Sequence, residues 1–200
     1  MGQYYYLVPQ LSYLVFGQAP PMSPEAFREL AKPLLDGQDA ELLDLLGPEL
    51  LPKHSGGTAS RGYEAGAAPS GSDFIDKWRE WERILRLNLV KLRAGKLKRE
   101  APASDPPVLP SDAASAAAKA VQETPLEGEI IIDKARWHAI DTLLEGSGPF
   151  DRNAVFAYML KLIILNRQAL FQAERGFSEY KSLYASILEQ SGKLTAGESK

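Results

Sequence analysis

A length of 200 residues, a formal net charge of −3 and the absence of cysteine restrict the classes of protein to which this chain can belong. The length suits one domain with a sizeable core. Without cysteine the chain has no disulfide, thiolate nucleophile or cysteine-ligated zinc or iron–sulfur site. The acidic balance gives no overall reason to expect nucleic acid, which usually needs a basic domain or patch.

The N-terminal residues, MGQYYYLVPQLSYLVFGQA, are apolar but do not resemble a targeting signal. No Lys or Arg precedes the apolar part and Pro9 interrupts it, whereas a signal peptide has a basic start and an unbroken apolar run. Tyr6 stands where a myristoylation signal has Ser or Thr. We therefore expect a cytoplasmic protein. The Tyr, Leu and Val residues of 4–16, broken by Pro9, favour one or two short extended segments.

Two short helices are predicted next, followed by a flexible segment. Ser23 is a good N-cap for the helix of SPEAFREL. Asp39 is the predicted N-cap of the second helix, whose leucines between 42 and 46 point inward. Residues 52–72 are rich in Gly, Ser and Ala and bury too little apolar surface to offset the entropy of ordering, which predicts a flexible segment.

Residues 73–98, DFIDKWREWERILRLNLVKLRAGKLK, form the clearest amphipathic helix of the chain. Apolar side chains recur at steps of three and four residues and predict one buried stripe that a second helix must cover. Asn88 interrupts this stripe. A buried Asn can fix register against a partner helix, but we expect Asn88 to bond a neighbouring backbone group inside the fold. The stripe comprises Phe74, Trp78, Trp81, Leu85 and Leu92.

The second half of this helix is basic. It has seven cations and no acid from 83 to 99: Arg83, Arg86, Lys91, Arg93, Lys96, Lys98 and Arg99. Part of this charge complements the negative C-terminal end of the helix dipole, and we expect a solvated face. The alternative is a helical module that binds a polyanion or nucleic acid through the face 83–99.

The remaining chain is predicted to be helical after a second flexible segment near 101–128. That segment is Pro-rich and then Ala-rich, and alanine favours a helix over 113–122, although it offers little to pack. The later helices share a capping residue and helical spacing of apolar residues, and they span Asp133–Glu145, Asp151–Arg175 and Ser178–Gln190, before a frayed tail at 191–200. The pattern predicts a mainly α-helical, bundle-like single domain over 1–200, with the 151–175 helix at its centre.

Lys161 is the sharpest candidate for catalysis, because it lies in the middle of the apolar run AVFAYMLKLIIL. The run has about twelve residues, whereas a bilayer span needs about twenty, so it is not a membrane segment. In a dry pocket, Lys161 could act as a catalytic amine. We expect instead that its stem lies along apolar surface and that its amine reaches water or a carboxylate.

Other patterns of catalysis and metal binding are missing from the sequence. The two histidines, His54 and His138, are far apart, and no HExxH, Walker A, GxGxxG or calcium-loop motif occurs. Ser55 and Ser70 lie beside glycines in a segment predicted to be flexible. Neither lies on the strand-to-helix turn that activates a nucleophilic serine. We therefore expect a protein that is not an enzyme and that uses no cofactor or metal.

Three blocks of the sequence resemble a known family. YYYLVPQL, FIDKWREWERILRLNLVKLRAGK, and FDRNAVFAYMLKLIIL followed by ERGFSEYKSLYASIL look like the small proteins encoded within bacterial V-type (A/V-type) ATPase gene clusters, which are similar to the C subunit, also called subunit d. The blocks cover about half of the chain, in the family's order. The family tends to have Glu-Arg and then Trp after the apolar helix, where this chain has Asn166, Arg167 and Gln168.

The resemblance implies a mechanical connector of an ATP synthase or ion- or proton-transporting ATPase. Such a subunit lies at the inner face of the cytoplasmic membrane only through the complex, with the central stalk as its partner and the proteolipid ring as a further candidate. The candidate contacts are exposed aromatic residues and the end of the basic helix: Tyr4, Tyr5, Tyr6, Arg93, Lys96, Lys98 and Arg99.

Overall fold

The computed structural model describes residues 4–46, 69–98 and 111–170. Within these ranges the regular secondary structure is helical and no strand occurs, which confirms the predicted mainly α-helical fold. The α-helices are α1 Tyr4–Leu7, α2 Pro24–Ala31, α3 Gly37–Leu45, α4 Asp73–Lys96, α5 Ser111–Gln122, α6 Pro125–Leu144 and α7 Arg152–Leu170. The described residues up to Gln168 belong to one compact unit. The predictions for 52–68, 101–110, 171–175, 178–190 and 191–200 concern residues outside the described ranges.

The N-terminal segment corrects the prediction of an extended start. Tyr4–Leu7 form one helical turn and Val8–Gln10 a 3-10 turn, and the backbone becomes extended only at Leu11. Pro9 lies at the start of the 3-10 turn, where its missing N–H leaves no hydrogen bond unmade. The side chain of Leu7 is fully buried, so packing against the core overrides the β-propensity of this stretch.

Caps explain where the short helices begin. The side chain of Ser23 accepts a hydrogen bond of 3.1 Å from the Ala26 N–H, as its predicted N-cap role requires. The N-cap of α3, however, is Asp36, whose carboxylate accepts from the Asp39 N–H. The prediction that Asp39 caps this helix is therefore wrong, and Asp39 is a buried residue.

Helix α6 begins eight residues before the predicted cap at Asp133, since it starts at Pro125. Its N-cap is Thr124, whose hydroxyl accepts from the Glu127 N–H and donates to the Glu127 carboxylate at 2.7 Å. A Thr followed three residues later by Glu is the capping-box pattern. Asp133 lies inside the helix and is buried.

Helix α5 shows that the second flexible segment is narrower than 101–128. The part from 111 to 122 is a helix that packs against both α4 and α6. From 112 to 122 its buried residues are all alanine, namely Ala113, Ala116, Ala117 and Ala120. Small side chains let the helix axes approach closely. The alanine face therefore contributes to stability through close packing against α4 and α6.

Helix α7 has the central place that the sequence predicts. The side chains of its middle part are buried except on the side of Tyr158 and Lys161, which are half-buried. The buried ones are Val155, Phe156, Ala157, Met159, Leu160, Leu162, Ile163, Ile164 and Leu165. Such a helix lies inside a core. The ring of Tyr158 in α7 packs against the ring of Phe27 in α2, and the two ring centroids are 4.9 Å apart. In the described parts of the chain, no helix combines the length and hydropathy needed to cross a membrane.

Gly128 marks the closest approach of α5 and α6, and it yields a stability prediction. A Cβ at this position would lie 2.6 Å from the backbone carbonyl oxygen of Ala120, which cannot move without shifting α5. We expect Gly128→Ala to lower the free energy of unfolding by about 1–3 kcal/mol, because overpacking outweighs the better helix propensity of alanine.

Gly95 is the matched control, because a Cβ there meets no atom within 4 Å. Gly95→Ala should raise the free energy of unfolding by about 0.5–1 kcal/mol through helix propensity alone. Urea unfolding of both variants measures the difference. Equal effects of the two substitutions would contradict the close packing of α5 on α6.

Candidate functional site

An exposed group of three aromatic rings lies where the N-terminus meets the start of α7. Tyr5, Tyr6 and Phe150 are 55%, 62% and 49% exposed. The ring centroid of Tyr5 lies 5.5 Å from that of Tyr6 and 5.8 Å from that of Phe150, and the ring planes are nearly perpendicular in both pairs. Edge-to-face pairs hold rings in place. We call these three residues the aromatic patch, and its composition is typical of protein interfaces.

Tyr4 anchors this patch to the fold. Its hydroxyl donates a hydrogen bond to the carboxylate of Asp39, which also accepts one of 3.3 Å from Arg152. Burial is the main cause that raises the pKa of Tyr4, and the bond to Asp39 and its negative charge act in the same direction. Tyr4 was predicted as a contact residue together with its two neighbours, but it is half-buried and turned toward α3 and α7.

The cations of the basic half of α4 are exposed from Lys91 onward, as predicted, whereas Arg83 and Arg86 are half-buried and paired with Glu80 and Glu82. Arg83 makes two hydrogen bonds to Glu80, of 2.8 and 2.6 Å, and these lower the pKa of that carboxyl. Arg93 lies 3.8 Å from Glu129 of α6. Lys96 donates to the Val121 carbonyl oxygen. The predicted contacts Arg93, Lys96 and Lys98 are all exposed, and Arg99 lies outside the described residues.

A buried network of charges joins α4, α6 and α7. Arg136 donates two hydrogen bonds to Glu82, of 3.0 and 2.7 Å, and one of 3.0 Å to Asp133. Arg167 continues the network to Glu129 and, at 3.3 Å, to Asp133. Both partners of the Glu82–Arg136 pair are almost completely buried. We call these five residues the charge network, and it fixes the three helices relative to one another.

Burial and neighbouring charges shift the pKa values of the network residues in opposite directions. Burial alone would lower the pKa of Arg136, but the Glu82 carboxylate and then Asp133 raise it well above its usual range. Burial raises the pKa of Asp133 in spite of Arg136 and Arg167. The sequence analysis missed this network. The signals were the Asp133 and Arg136 pair at helical spacing and a glutamate, Glu82, beside the apolar stripe of α4.

Lys161 has the ordinary environment that the sequence predicts. Its Nζ lies 2.5 Å from the Asp141 carboxylate and 4.8 Å from the centroid of the Trp137 ring. The lysine also lines an open pocket of about 220 Å³ between the N-terminal segment and α7. This volume is below the roughly 300–1,000 Å³ usual for small-molecule sites. The hydroxyl of Tyr158, a further lining residue, is buried without a hydrogen-bond partner among the described residues.

The other polar candidates also have structural surroundings. The amide of Asn88 donates to the Ile84 carbonyl oxygen at 2.9 Å, which confirms the predicted bond to a neighbouring backbone group. His138 is exposed, whereas His54 and Ser55 lie outside the described residues. No group of three or more metal-ligating side chains occurs in the part of the chain that the structure describes.

Comparisons of the chain with protein-family models, with curated proteins and with solved structures find no match.

The raised pKa of Tyr4 predicts a loss of stability at alkaline pH. In the unfolded chain a tyrosine ionises near pH 10, whereas the folded chain keeps the proton on Tyr4. The folded state then binds more protons than the unfolded state, so the free energy of unfolding falls as pH rises above about 10. We expect Tyr4→Phe to flatten this fall, measured by urea unfolding at several pH values between about 9 and 12.

Tyr13→Phe is the control for this measurement, because Tyr13 is an exposed tyrosine of the same segment. It should leave the slope of stability against pH unchanged. If both variants keep the slope of the parent protein, the bond from Tyr4 to Asp39 does not link folding to proton binding.

The charge network predicts a strong effect of removing one partner. Arg136→Met leaves the buried Glu82 without its main counter-charge, and we expect it to lower the free energy of unfolding by about 3–5 kcal/mol. The double variant Glu82→Met with Arg136→Met should be more stable than Arg136→Met alone, because no uncompensated carboxylate remains.

Arg83→Met is the matched control, since Arg83 belongs to a surface pair on the same helix. It should cost less than about 1 kcal/mol. Chemical unfolding of the parent protein, Glu82→Met, Arg136→Met and the double variant gives the coupling energy of the buried pair. Additive effects of the two single substitutions at 82 and 136 would show that the pair is not coupled.

Proposed function

We propose that this protein is a non-catalytic coupling subunit of a bacterial V-type ATPase. It has the role of the central-stalk C (d) subunit, which links the rotor stalk to the membrane proteolipid ring. The protein binds stalk subunits, lies at the cytoplasmic face of the membrane through the complex, and takes part in ion or proton transport without an active site of its own. The aromatic patch is the observation that carries a protein-binding role, and the sequence resemblance suggests the complex.

Two of the resembling blocks meet at the aromatic patch. Tyr5 belongs to the block YYYLVPQL, and Phe150 begins the block FDRNAVFAYMLKLIIL. Just below the patch, Asp39 binds Tyr4 of the first block and Arg152 of the second. Blocks that are far apart in sequence therefore contribute to one surface. This placement supports their interpretation as parts of one functional unit.

The patch has the physical properties of a binding surface. Aromatic side chains bury much area for few rotatable bonds, and they dominate the affinity of many interfaces. Here the rings support one another edge to face, and the hydrogen bond of Tyr4 fixes the helical turn beneath them. A pre-ordered surface loses little entropy when a partner binds. A specific complex would bury roughly 800 Å² on each partner.

The interior suits a connector that carries mechanical load. Helix α7 is buried along most of its length, and the charge network ties it to α4 and α6 through Arg167, Asp133 and Arg136. Directional contacts of this kind resist sliding of one helix past another, because any shift separates buried opposite charges. A coupling subunit needs such stiffness between its two binding surfaces.

The proposal is tested by capture of purified V-type ATPase parts on the immobilised full chain. The probes are the central-stalk subunits, assembled and separate, and the detergent-solubilised proteolipid ring. We expect stalk subunits to be retained. Replacement of the two exposed tyrosines, Tyr5→Ser with Tyr6→Ser, should weaken retention at least about thirtyfold, because an interface aromatic contributes about 2 kcal/mol or more.

Tyr13→Ser is the control, since Tyr13 is exposed but does not belong to the aromatic patch. It should bind stalk subunits as the parent protein does. Failure of the parent protein to retain any ATPase subunit would overturn the proposed function. Retention that is unaffected by Tyr5→Ser with Tyr6→Ser would remove the aromatic patch as its contact surface.

A further inference from the structure

One face of the central helix α7 borders a pocket beside the N-terminal segment. The face consists of Ala154, Ala157, Tyr158 and Lys161, which share one side of the helix because they are spaced by three and four residues. The two alanines have short side chains, so α7 itself leaves the volume in front of them unfilled. The rest of the lining comes from the N-terminal segment and the end of α6, namely Val8, Leu11, Ser12, Tyr13, Leu14 and Leu144.

The size of the pocket restricts what it can hold. Its volume is about 220 Å³, and it is open to solvent. Drug-sized molecules and cofactors need roughly 300–1,000 Å³. An apolar cavity of about 150 Å³, however, is large enough to bind benzene. The pocket therefore suits a molecule with a single ring or an aliphatic group of similar size.

The hydroxyl of Tyr158, a lining residue, has no partner. It is buried and makes no hydrogen bond to any of the described residues. A buried polar group without a partner costs free energy, and part of this cost is recovered when a partner binds. A neutral phenol both donates and accepts a hydrogen bond, so the oxygen of a small ligand is a suitable partner.

Lys161 adds hydrogen-bond donors to the pocket without adding net charge. Its Nζ lies 2.5 Å from the Asp141 carboxylate, which compensates the charge, and 4.8 Å from the centroid of the Trp137 ring. An ammonium has three N–H donors, so the bond to Asp141 leaves donor capacity for a ligand oxygen. Lys161 is the one charged residue among the described residues that line the pocket.

The Lys161–Asp141 pair also selects the charge of the ligand. A ligand carboxylate beside the ammonium would come close to the carboxylate of Asp141, and like charges repel each other. A ligand amine would be repelled by the ammonium of Lys161 itself. A neutral ligand meets neither penalty.

We propose that this pocket binds a small neutral molecule that has one aromatic ring or a compact aliphatic group and one hydroxyl or carbonyl oxygen. The apolar part lies against Ala154 and Ala157, and the oxygen bonds Lys161 and the hydroxyl of Tyr158. Burial of the apolar part supplies most of the affinity, and the polar groups select the ligand. For so small a ligand we expect a dissociation constant of about 1 mM or below. The inference does not depend on the ATPase assignment.

The test uses the full chain, labelled with ¹³C in its alanine methyl groups, and single-ring probes of nearly equal size. Benzyl alcohol is neutral, whereas benzoate is an anion and benzylamine a cation near neutral pH. Titrations followed by methyl NMR give the dissociation constants. The methyl signals of Ala154 and Ala157 should shift, whereas that of Ala113 in α5 should not. We expect benzyl alcohol to bind at least about fivefold more tightly than either charged probe.

A substitution that fills the pocket assigns the binding to this site. Ala154→Leu places a larger side chain in the pocket and should weaken the binding of benzyl alcohol at least about tenfold. Ala169→Leu is the matched control, because Ala169 is an exposed residue of the same helix and does not line the pocket. It should leave binding unchanged. Circular dichroism verifies that each variant retains its helix content.

Two further substitutions test the polar groups. Lys161→Met retains the apolar stem and Tyr158→Phe retains the ring, and each should weaken benzyl alcohol by about threefold or more, because each removes one hydrogen bond. Tyr158→Phe should not lower the free energy of unfolding, since the hydroxyl has no partner to lose. Loss of affinity without loss of stability would separate ligand binding from a structural role. Lys32→Met removes a surface lysine bound to Asp44 and is the control for Lys161→Met.

Several outcomes would overturn the inference. One is that benzyl alcohol does not bind, as expected if only water enters the pocket. Another is that a charged probe binds as tightly as benzyl alcohol, and a third is that Ala154→Leu leaves binding unchanged. Unchanged affinity in both Lys161→Met and Tyr158→Phe would also overturn it, because the pocket would then bind any apolar ring. Since the probes are small molecules, loss of the ATPase interaction in the capture experiment leaves this test unaffected.

Discussion

The architecture depends on one buried ion pair, between Glu82 of α4 and Arg136 of α6. A charge removed from water is tolerated only when it is paired and hydrogen-bonded, and Glu82 is paired with Arg136 at 2.7 Å and with Arg86 at 3.1 Å. Arg136 also binds Asp133, and Asp133 binds Arg167 of the central helix. The pair therefore sets the register of α4 on α6 and of both on α7. The apolar side chains around the pair can pack in more than one arrangement, because their contacts are not directional.

The part of the fold that local chemistry determines could be predicted from the sequence. The start of α4, the cap at Ser23 and the contact of Lys161 with a carboxylate follow from residues near in sequence or from the ordinary behaviour of a side chain. The packing of α5 could not be predicted, because alanine has little apolar surface and gives no strong periodic signal. Nor could the buried role of Asp133, since an acid before an apolar stretch also suits an N-cap.

The candidate surfaces were predicted in part. Tyr5, Tyr6 and the end of the basic helix are exposed, but Phe150 joins the aromatic patch only through the path of the chain from α6 to α7. Likewise, the buried side of α4 becomes evident only from the fold, because the second half of the helix has apolar residues on both sides. A sequence pattern gives the spacing, whereas the fold decides which of two stripes faces solvent.

The carboxylate of Asp39 joins two parts of the chain that are far apart in sequence. Its bond to Arg152 spans 113 residues, whereas α4, α5 and α6 meet neighbours that are much nearer along the chain. Closing a long loop costs more entropy than closing a short one. Loop-closure entropy therefore favours assembly of α4, α5 and α6 before the N-terminal turn docks.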